Sequence, residues 1–213
     1  MQDFFWADPH LGHGSHKGGI IKMMSRVVPG TRNLFASIEE HDTHMIEACN
    51  SVVSRDDRLH IIGDFAWHDP AKYRARLKCK QIHLITGNHD QRAKCANVFT
   101  SVTDLKSFKV RCQGFSQLVV LCHYPLAYWE KSYAGSIHLY GHCHGMVEKQ
   151  LDLAFPGRRA MDVGVDNLYD FYGNYAPIVS DEVVCRVLER CDGHDDVAYY
   201  RAYQQNRYTE KCL

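Results

Sequence analysis

Short apolar runs that end in glycine, aspartate, asparagine or histidine are the feature that most constrains the fold of this chain. Six runs, rich in β-branched and aromatic residues, have the length of buried strands: 4–7, 59–62, 82–86, 118–121, 137–140 and 160–163. Helical patterns lie between several of these runs. This alternation, followed by a second half that is richer in strands, predicts an α/β domain with mixed sheets flanked by helices.

Three segments carry helix signals at their first residues. They are 37–54, which opens with a capping box from Ser37 to Glu40, 70–78, which opens with Pro70, and a C-terminal helix that Ser180 caps and Gly193 ends. His41 and His44 on the first of these helices are expected to be at the surface or half-buried. The segment 11–36 is glycine-rich and basic, and we interpret it as a long loop, either at the mouth of a site or on the solvated surface.

Five of the strand-like runs are followed directly by residues that bind metals or take part in acid–base chemistry. These residues are Asp8 and His10, then Asp64, then Asn88, His89 and Asp90, then His123, and finally His142 and His144. In open α/β sheets, sites form beyond the carboxyl ends of the strands. One such fragment is common in turns, but five in this order indicate a shared site.

Seven of these side chains have the chemistry of metal ligands: Asp8, His10, Asp64, Asn88, His123, His142 and His144. They offer imidazole, carboxylate and amide donors but no thiolate, a mixture that suits Mn, Fe or Zn better than Ca or Mg. Their number exceeds the three protein ligands of a typical mononuclear catalytic site. If one carboxylate is shared, about four ligands remain for each of two ions roughly 3.5–4 Å apart, an arrangement that clamps a phosphoryl group.

Length, composition and charge limit the classes of protein to which this chain can belong. The chain has 213 residues and no internal repeat, so we expect a single domain over 1–213, with a C-terminal extension of unassigned role at about 192–213. Basic and acidic residues number 25 each, so charge does not indicate nucleic-acid binding, although a nucleic acid as substrate stays open. Scattered cysteines, and the lack of a long apolar stretch or a secretory signal, predict a cytoplasmic protein with no membrane partner.

Taken together, the motifs resemble those of the calcineurin-like metallophosphoesterase family. The resemblance rests on Asp8-x-His10, Gly63-Asp64, Gly87-Asn88-His89-Asp90, His123 and Gly141-His142-x-His144, and it spans about residues 4–185. The segments 8–13, 123–126 and 161–167 are similar to those of the small prokaryotic and phage members. The resemblance implies a metallophosphoesterase-like sandwich of two mixed β-sheets flanked by helices.

The same resemblance implies a role for each candidate residue. Asp8, His10, Asp64 and His144 would hold one ion, and Asp64, Asn88, His123 and His142 would hold the other, with Asp64 bridging the two. Mn²⁺ is the expected ion, with Fe, Zn or Ni as alternatives. His89 would act catalytically at the leaving group and Asp90 would orient it. His13 is expected either to contact the substrate, together with Asn88 and His89, or only to cap its loop.

The resemblance therefore implies a dinuclear metal-dependent phosphoesterase in which a hydroxide between the ions attacks phosphorus. The substrate would be a small phosphodiester or a nucleotide-like ester, and a phosphomonoesterase acting on small phosphorylated metabolites is the alternative. Phe65-Ala66-Trp67-His68 stands where the protein phosphatases have Asp-Arg-Gly, which argues against a phosphoprotein substrate. A catalytically inert binding scaffold of the same fold is the alternative from another class, although every ligand position is filled.

Several residues near the strand ends have two interpretations. Trp67 and Trp129 either stack on a nucleobase or pack in the core. Asp162 and Asp166 could orient histidine ligands from behind. The histidines inside the predicted strands are interpreted as ordinary sheet residues: His60, His83 and His138.

Overall fold

The computed structural model describes residues 1–14, 19–112 and 114–191, which form an α/β sandwich of two sheets with helices around them. The first sheet contains β1 (Asp3–Trp6), β2 (Arg58–Ile62), β3 (Gln81–Ile85), β4 (Ser101–Thr103) and β9 (Ile178–Val179). The second sheet contains β5 (Leu105–Cys112), β6 (Phe115–Cys122), β7 (Ile137–Tyr140) and β8 (Ala160–Asp162). The predicted α/β class with mixed sheets is confirmed.

Both sheets are mixed in strand direction. In the first, the order is β4-β3-β2-β1-β9, and only β9 runs antiparallel to its neighbour. In the second, the order is β5-β6-β7-β8, and only the β5–β6 pair is antiparallel. A parallel bridge between Ala7 and Gly164 joins the chain just after β1 to the chain just after β8. The carboxyl ends of the two sheets therefore meet.

The helices of the described residues lie between and after the strands. They are α1 (Gly19–Val27), α2 (Ile38–Val52), α3 (Pro70–Arg74), α4 (Arg92–Cys95), α5 (Glu148–Ala154), α6 (Val165–Tyr172) and α7 (Ser180–Cys191), with a 3₁₀ helix at Ser132–Ala134. None of these described helices is both long and apolar enough to cross a membrane. The helix predicted over 70–78 is shorter than expected, and Gly193 and the extension at 192–213 lie outside the described residues.

The capping box at the start of α2 is confirmed with one change of partner. The Ser37 hydroxyl accepts a hydrogen bond from the backbone N–H of Glu40 at 3.2 Å. The Glu40 carboxylate accepts from the backbone N–H of Ala36, at 2.7 Å, rather than from Ser37 itself. The helix N-terminus is therefore satisfied by the two side chains that the sequence predicts.

The segment 11–36 is not the continuous loop that its composition suggests. Its middle forms α1, which buries Ile20 and Met24, two residues one turn apart on the same helix face. Arg32, among the basic residues expected in this loop, is completely buried. His41 on α2 is also completely buried, so the expectation that it is at the surface or half-buried is wrong, whereas His44 is exposed as expected. The glycine-rich composition of this segment masks the short apolar pattern of α1. The burial of Arg32 depends on residues that are distant in sequence.

Candidate metal centre

The seven predicted ligands lie where the carboxyl ends of both sheets meet. Asp8 and His10 follow β1, Asp64 follows β2, Asn88 follows β3, His123 follows β6, and His142 and His144 follow β7. Five of these side chains are buried: Asp8, His10, Asp64, His123 and His144. Asn88 and His142 are exposed. The centre therefore has a buried floor and a rim that is open to solvent.

Two groups of three buried side chains on this floor have the spacing of metal ligands. Asp8, His10 and His144 form the first group, and Asp8, Asp64 and His123 form the second. Within each group the ligand atoms lie within 4.8 Å of one another. The two groups overlap at Asp8, so they are two parts of one cluster rather than two separate sites.

The Asp64 carboxylate belongs to the second ligand group and also lies beside a histidine of the first. Its Oδ2 atom is 3.5 Å from Nε2 of His10 and 3.6 Å from Nε2 of His123. Its Oδ1 atom accepts a hydrogen bond from the backbone N–H of His89 at 2.9 Å. One oxygen at nearly equal distance from histidines of both groups has the position that a bridging ligand requires.

Asn88 and His142 complete the set at the exposed side of His123. The Oδ1 atom of Asn88 lies 3.2 Å from Nε2 of His123. The ring of His142 lies with its centroid 5.1 Å from that of His123, and its backbone N–H donates to Oδ2 of Asp8 at 2.8 Å. All seven predicted ligands therefore belong to one connected cluster.

Most of the predicted ligands have a left-handed backbone conformation. The φ angles are 57° at Asp8, 49° at His10, 53° at Asp64, 69° at His142 and 50° at His144. Such a conformation costs a non-glycine residue about 1–2 kcal/mol. Elsewhere in the described chain, Lys131 is the one other non-glycine residue with a positive φ. The concentration of strain on the candidate ligands indicates that the site, and not local stability, determines the backbone here.

Two of the glycines that precede ligands leave room for a ligand from a neighbouring strand. A Cβ atom at Gly63 would lie 2.1 Å from Nδ1 of His123. A Cβ atom at Gly141 would lie 2.4 Å from Oδ2 of Asp8. Both distances are far below van der Waals contact, so any side chain at either position would displace a predicted ligand.

The donor atoms of the floor fit divalent transition-metal ions. Oδ1 of Asp8 and Nε2 of His10 are buried, and neither has a hydrogen-bond partner among the described residues. These two atoms lie 3.8 Å apart. Buried polar atoms normally have a partner, and a carboxylate oxygen facing an imidazole nitrogen without a bond between them can share a cation.

The electrostatics of the floor also favour a cation. Burial would lower the pKa of His123, but the carboxylates of Asp64 and Asp8 raise it to about 9. Burial lowers the pKa of His10 well below its usual value, so this imidazole is neutral, as a metal ligand must be. The negative charge that favours a proton on His123 favours a metal cation at the same place.

His89 lies next to the ligand cluster on its solvent side. Its Nε2 atom is 3.9 Å from Oδ2 of Asp64, and 38% of its side chain is exposed. Its ring centroid is 5.5 Å from that of His10. This position is suited to a group that contacts a substrate bound at the centre.

Asp90 has a role different from the orientation of His89 that the resemblance implies. Its carboxylate accepts hydrogen bonds from the backbone N–H groups of Asp64 at 2.8 Å, Gly87 at 2.9 Å and Phe65 at 3.0 Å. Within the described residues no hydrogen bond joins it to the His89 ring. The prediction that Asp90 orients His89 is therefore wrong, because the turn directs the carboxylate back toward the loop after β2, where it holds Asp64.

Trp67 supports two histidines at the rim. The ring of His13 stacks on it in parallel, with centroids 3.8 Å apart and an interplanar angle of 1°. The His89 ring lies 4.7 Å from Trp67. Trp129 packs instead against His138, at 5.3 Å, on the second sheet. Trp67 therefore packs against residues of the site, and the half-buried Trp129 packs against the second sheet. Stacking of either ring on a nucleobase stays a prediction.

Of the two aspartates that could orient histidines, one does. Oδ2 of Asp166 lies 2.7 Å from Nδ1 of His144, as predicted. Asp162 accepts instead from the backbone N–H groups of Gly145 and Gly164, each at 2.8 Å. Asp162 therefore shapes the loops around the centre and does not orient a histidine.

Sequence reasoning misses Arg32, whose guanidinium lies behind the ligands and forms a buried ion pair with Asp166 at 2.6 Å. Burial would raise the pKa of Asp166, but the charge of Arg32 and the hydrogen bond from His144 lower it below its usual range. The carboxylate therefore stays ionised. The burial of Arg32 can be predicted only when its partner Asp166, which is distant in sequence, is known.

Fold and site together define an α/β protein with a candidate metal centre between two mixed sheets. No family model matches the chain. The chain is 26% identical over 199 residues to the Gene 66 protein of Mycobacterium phage L5, a match that covers 76% of this chain and 86% of that protein. The structure of this chain is similar to that of AQ665, a protein of unknown function from Aquifex aeolicus, with a TM-score of 0.60 and 20% identity. That match covers 85% of this chain and 97% of AQ665, and at this identity it shows the fold alone.

Proposed function

We propose that this chain is a calcineurin-like metallophosphoesterase, which hydrolyses a small phosphodiester or nucleotide-like ester with two divalent transition-metal ions. The observation that carries the proposal is the position of Asp64, whose Oδ2 atom is 3.5 Å and 3.6 Å from histidines of two different ligand groups. A carboxylate shared in this way is what a pair of adjacent ions needs. The two mixed sheets with flanking helices support the sandwich fold that this family implies.

The buried side chains of the floor would bind the two ions of the centre. Two divalent ions, when bound, would attract the phosphate ester and activate water for attack on phosphorus. Asp8, His10 and His144 would bind one ion, and Asp64 would join it to the position at His123. Asn88 and His142 would close the second position from the rim, where their exposure leaves them in contact with an incoming ester.

His89 is the group of this chain that acts on the leaving group. It is partly exposed and lies just beyond the ligands, with Nε2 3.9 Å from Asp64. An imidazole in this position donates a proton to the departing oxygen, which is typically worth about 10²–10⁴-fold in rate. The hydrogen bond from its backbone N–H to Oδ1 of Asp64 fixes the loop that carries it.

The rim favours an extended ester over one that must be enclosed. Asn88 and His142 are exposed, and Tyr124 is 44% exposed with its ring 4.8 Å from that of His142. A substrate at this centre therefore keeps part of its surface in solvent, as a diester or nucleotide-like ester can. A small phosphomonoester is the alternative substrate, and a direct comparison of rates separates the two.

The test is a substrate panel measured on purified protein with Mn²⁺. Bis-p-nitrophenyl phosphate, p-nitrophenyl phosphate, nucleotides and cyclic nucleotides cover diesters and monoesters. We expect diester hydrolysis that EDTA abolishes and Mn²⁺ restores, and we expect Asp64→Asn to lose it. Asp56→Asn is the matched control, because the Asp56 side chain is 83% exposed and Lys80 is its one ion-pair partner among the described residues. Hydrolysis that persists in EDTA, or two bound ions with no hydrolysis of any ester, would overturn the proposal, and the second result would indicate a scaffold.

A further inference from the structure

Arg32 carries a buried charge that the proposed function does not explain. Its side chain is 0% exposed. The guanidinium donates to both oxygens of Asp166, with Nε–Oδ1 at 2.9 Å and Nη2–Oδ2 at 2.6 Å. A bidentate pair of this kind fixes both side chains in one orientation, which a single point charge does not do.

The same guanidinium also holds the backbone of the turn after β1. Nη2 of Arg32 donates to the carbonyl oxygen of Asp8 at 2.6 Å, and Nη1 donates to that of Pro9 at 3.4 Å. This turn carries two predicted ligands, Asp8 and His10, both with left-handed φ angles. Strained conformations persist only where the surroundings hold them, and these two hydrogen bonds contribute to that support.

Asp166 connects Arg32 to a third ligand. Its Oδ2 atom lies 2.7 Å from Nδ1 of His144. A hydrogen bond at Nδ1 fixes the ring orientation and leaves Nε2 available to a metal ion. Arg32 therefore supports all three members of the first ligand group. It directly holds the turn that carries Asp8 and His10, and it reaches His144 through Asp166.

The second ligand group has different supports. Nδ1 of His123 bonds to the carbonyl oxygen of Ile62 at 2.9 Å. The backbone N–H of Asp64 donates to Asp90 at 2.8 Å. Neither of these contacts involves Arg32, so Arg32 reaches the second group only through Asp8, which both groups contain.

We propose that Arg32 is a positioning residue that sets the affinity of one ion position, the one formed by Asp8, His10 and His144, and affects the position at Asp64 and His123 much less. The inference rests on the proposed function only in that the chain must bind divalent ions, and it requires no hydrolysis. Residues that orient metal ligands from behind typically change metal affinity by about 10–100-fold.

Calorimetric titration of the full chain with Mn²⁺ tests this role without an activity assay. In Arg32→Lys the charge remains, but a single ammonium cannot bridge both Asp166 oxygens and the Asp8 carbonyl. We expect one ion to bind about 10–100-fold more weakly, and the affinity for the other to change by less than about threefold. Arg58→Lys is the matched control, because Arg58 pairs with Asp3 at 2.6 Å at the opposite, amino end of the first sheet. Both affinities should be unchanged in that variant.

Two backgrounds identify which ion is affected. In His123→Ala the position at Asp8, His10 and His144 remains, and adding Arg32→Lys should weaken the remaining ion by the full factor. In His10→Ala the other position remains, and adding Arg32→Lys should change its affinity less than threefold. Equal weakening in both backgrounds, or none in either, overturns the proposal.

Two further measurements distinguish failure of the Arg32 proposal from misfolding of the variant and from failure of the proposed function. If circular dichroism shows that Arg32→Lys does not fold, Asp166→Asn makes the same prediction, because it removes the charge that both Arg32 and His144 contact. Wild-type protein that binds no Mn²⁺ overturns both proposals. Wild-type protein that binds two ions but hydrolyses no ester overturns only the proposed function, and the comparison of Arg32 variants still decides this one.

Discussion

Replacing His142 by glycine and by alanine separates the strain in its backbone from the role of its side chain. Both variants lack the imidazole, so both lose the same ring packing and the same proposed metal ligand. They differ only in the backbone, where φ is 69°. Alanine keeps the penalty of the left-handed conformation, and glycine is free of it.

The expected difference follows from two opposing free energies. The left-handed conformation costs alanine about 1–2 kcal/mol, whereas the greater freedom of glycine in the unfolded chain costs about 0.4–1 kcal/mol. We therefore expect the glycine variant to be more stable than the alanine variant by about 0.5–1 kcal/mol, the reverse of their usual order. For a chain of 213 residues this corresponds to a melting temperature higher by about 1–4 °C.

Thermal unfolding followed by circular dichroism, in EDTA and in Mn²⁺, measures both effects. Lys131, with φ 55° outside the ligand cluster, should show the same order of glycine over alanine. Glu47, exposed on α2, should show the usual order, with alanine more stable by about 1 kcal/mol. If the His142 pair ranks like the Glu47 pair, the strain argument is refuted. If Mn²⁺ raises the melting temperature of both His142 variants as much as that of the wild type, His142 is not a ligand.

Three further substitutions test the centre and its rim. Asp64→Asn keeps the shape of the side chain but removes a charge that both proposed ion positions share. It should therefore lower the Mn²⁺ content at both positions and cost more activity than Asn88→Ala. Elemental analysis that shows wild-type metal content contradicts the bridging assignment. His89→Ala should keep both ions and lose about 10²–10⁴-fold on esters with poor alkoxide leaving groups, but much less on p-nitrophenyl esters; equal losses on both would exclude the general-acid role. Trp67→Leu should leave Mn²⁺ affinity unchanged and lower kcat, because His13 and His89 lose the indole beside them, and Trp67→Phe should restore part of the rate. An unchanged kcat in Trp67→Leu would show that this contact has no role in positioning.

The strands and the candidate ligands could be predicted because both depend on local signals. The run 59–62 is apolar and bounded by glycine, and the strand observed at Arg58–Ile62 delivers Asp64 to the edge of the sheet where the other strands also end. Parallel neighbours place their carboxyl ends together, so the order of residues along the chain was enough to predict which side chains meet.

The supports of the ligands could not be predicted in this way because they depend on tertiary contacts. Arg32 is buried by Asp166, which lies 134 residues further along the chain. Before that partner is known, an arginine in a glycine-rich segment has the composition of a solvated loop. Asp90 shows a second limit, since its position next to His89 predicts a contact, whereas the turn at 87–90 directs its carboxylate away from the ring.

The division of the ligands between the two sheets has a consequence for how the chain is made. Asp8, His10, Asp64 and Asn88 come before Leu105, where the second sheet begins, and His123, His142 and His144 come after it. Neither contiguous half of the chain holds all seven residues of the proposed centre, so the proposed centre forms only after most of the chain is synthesised and the two sheets have docked. The proposed function therefore predicts that a fragment lacking either sheet is inert and that phosphoester hydrolysis requires both sheets.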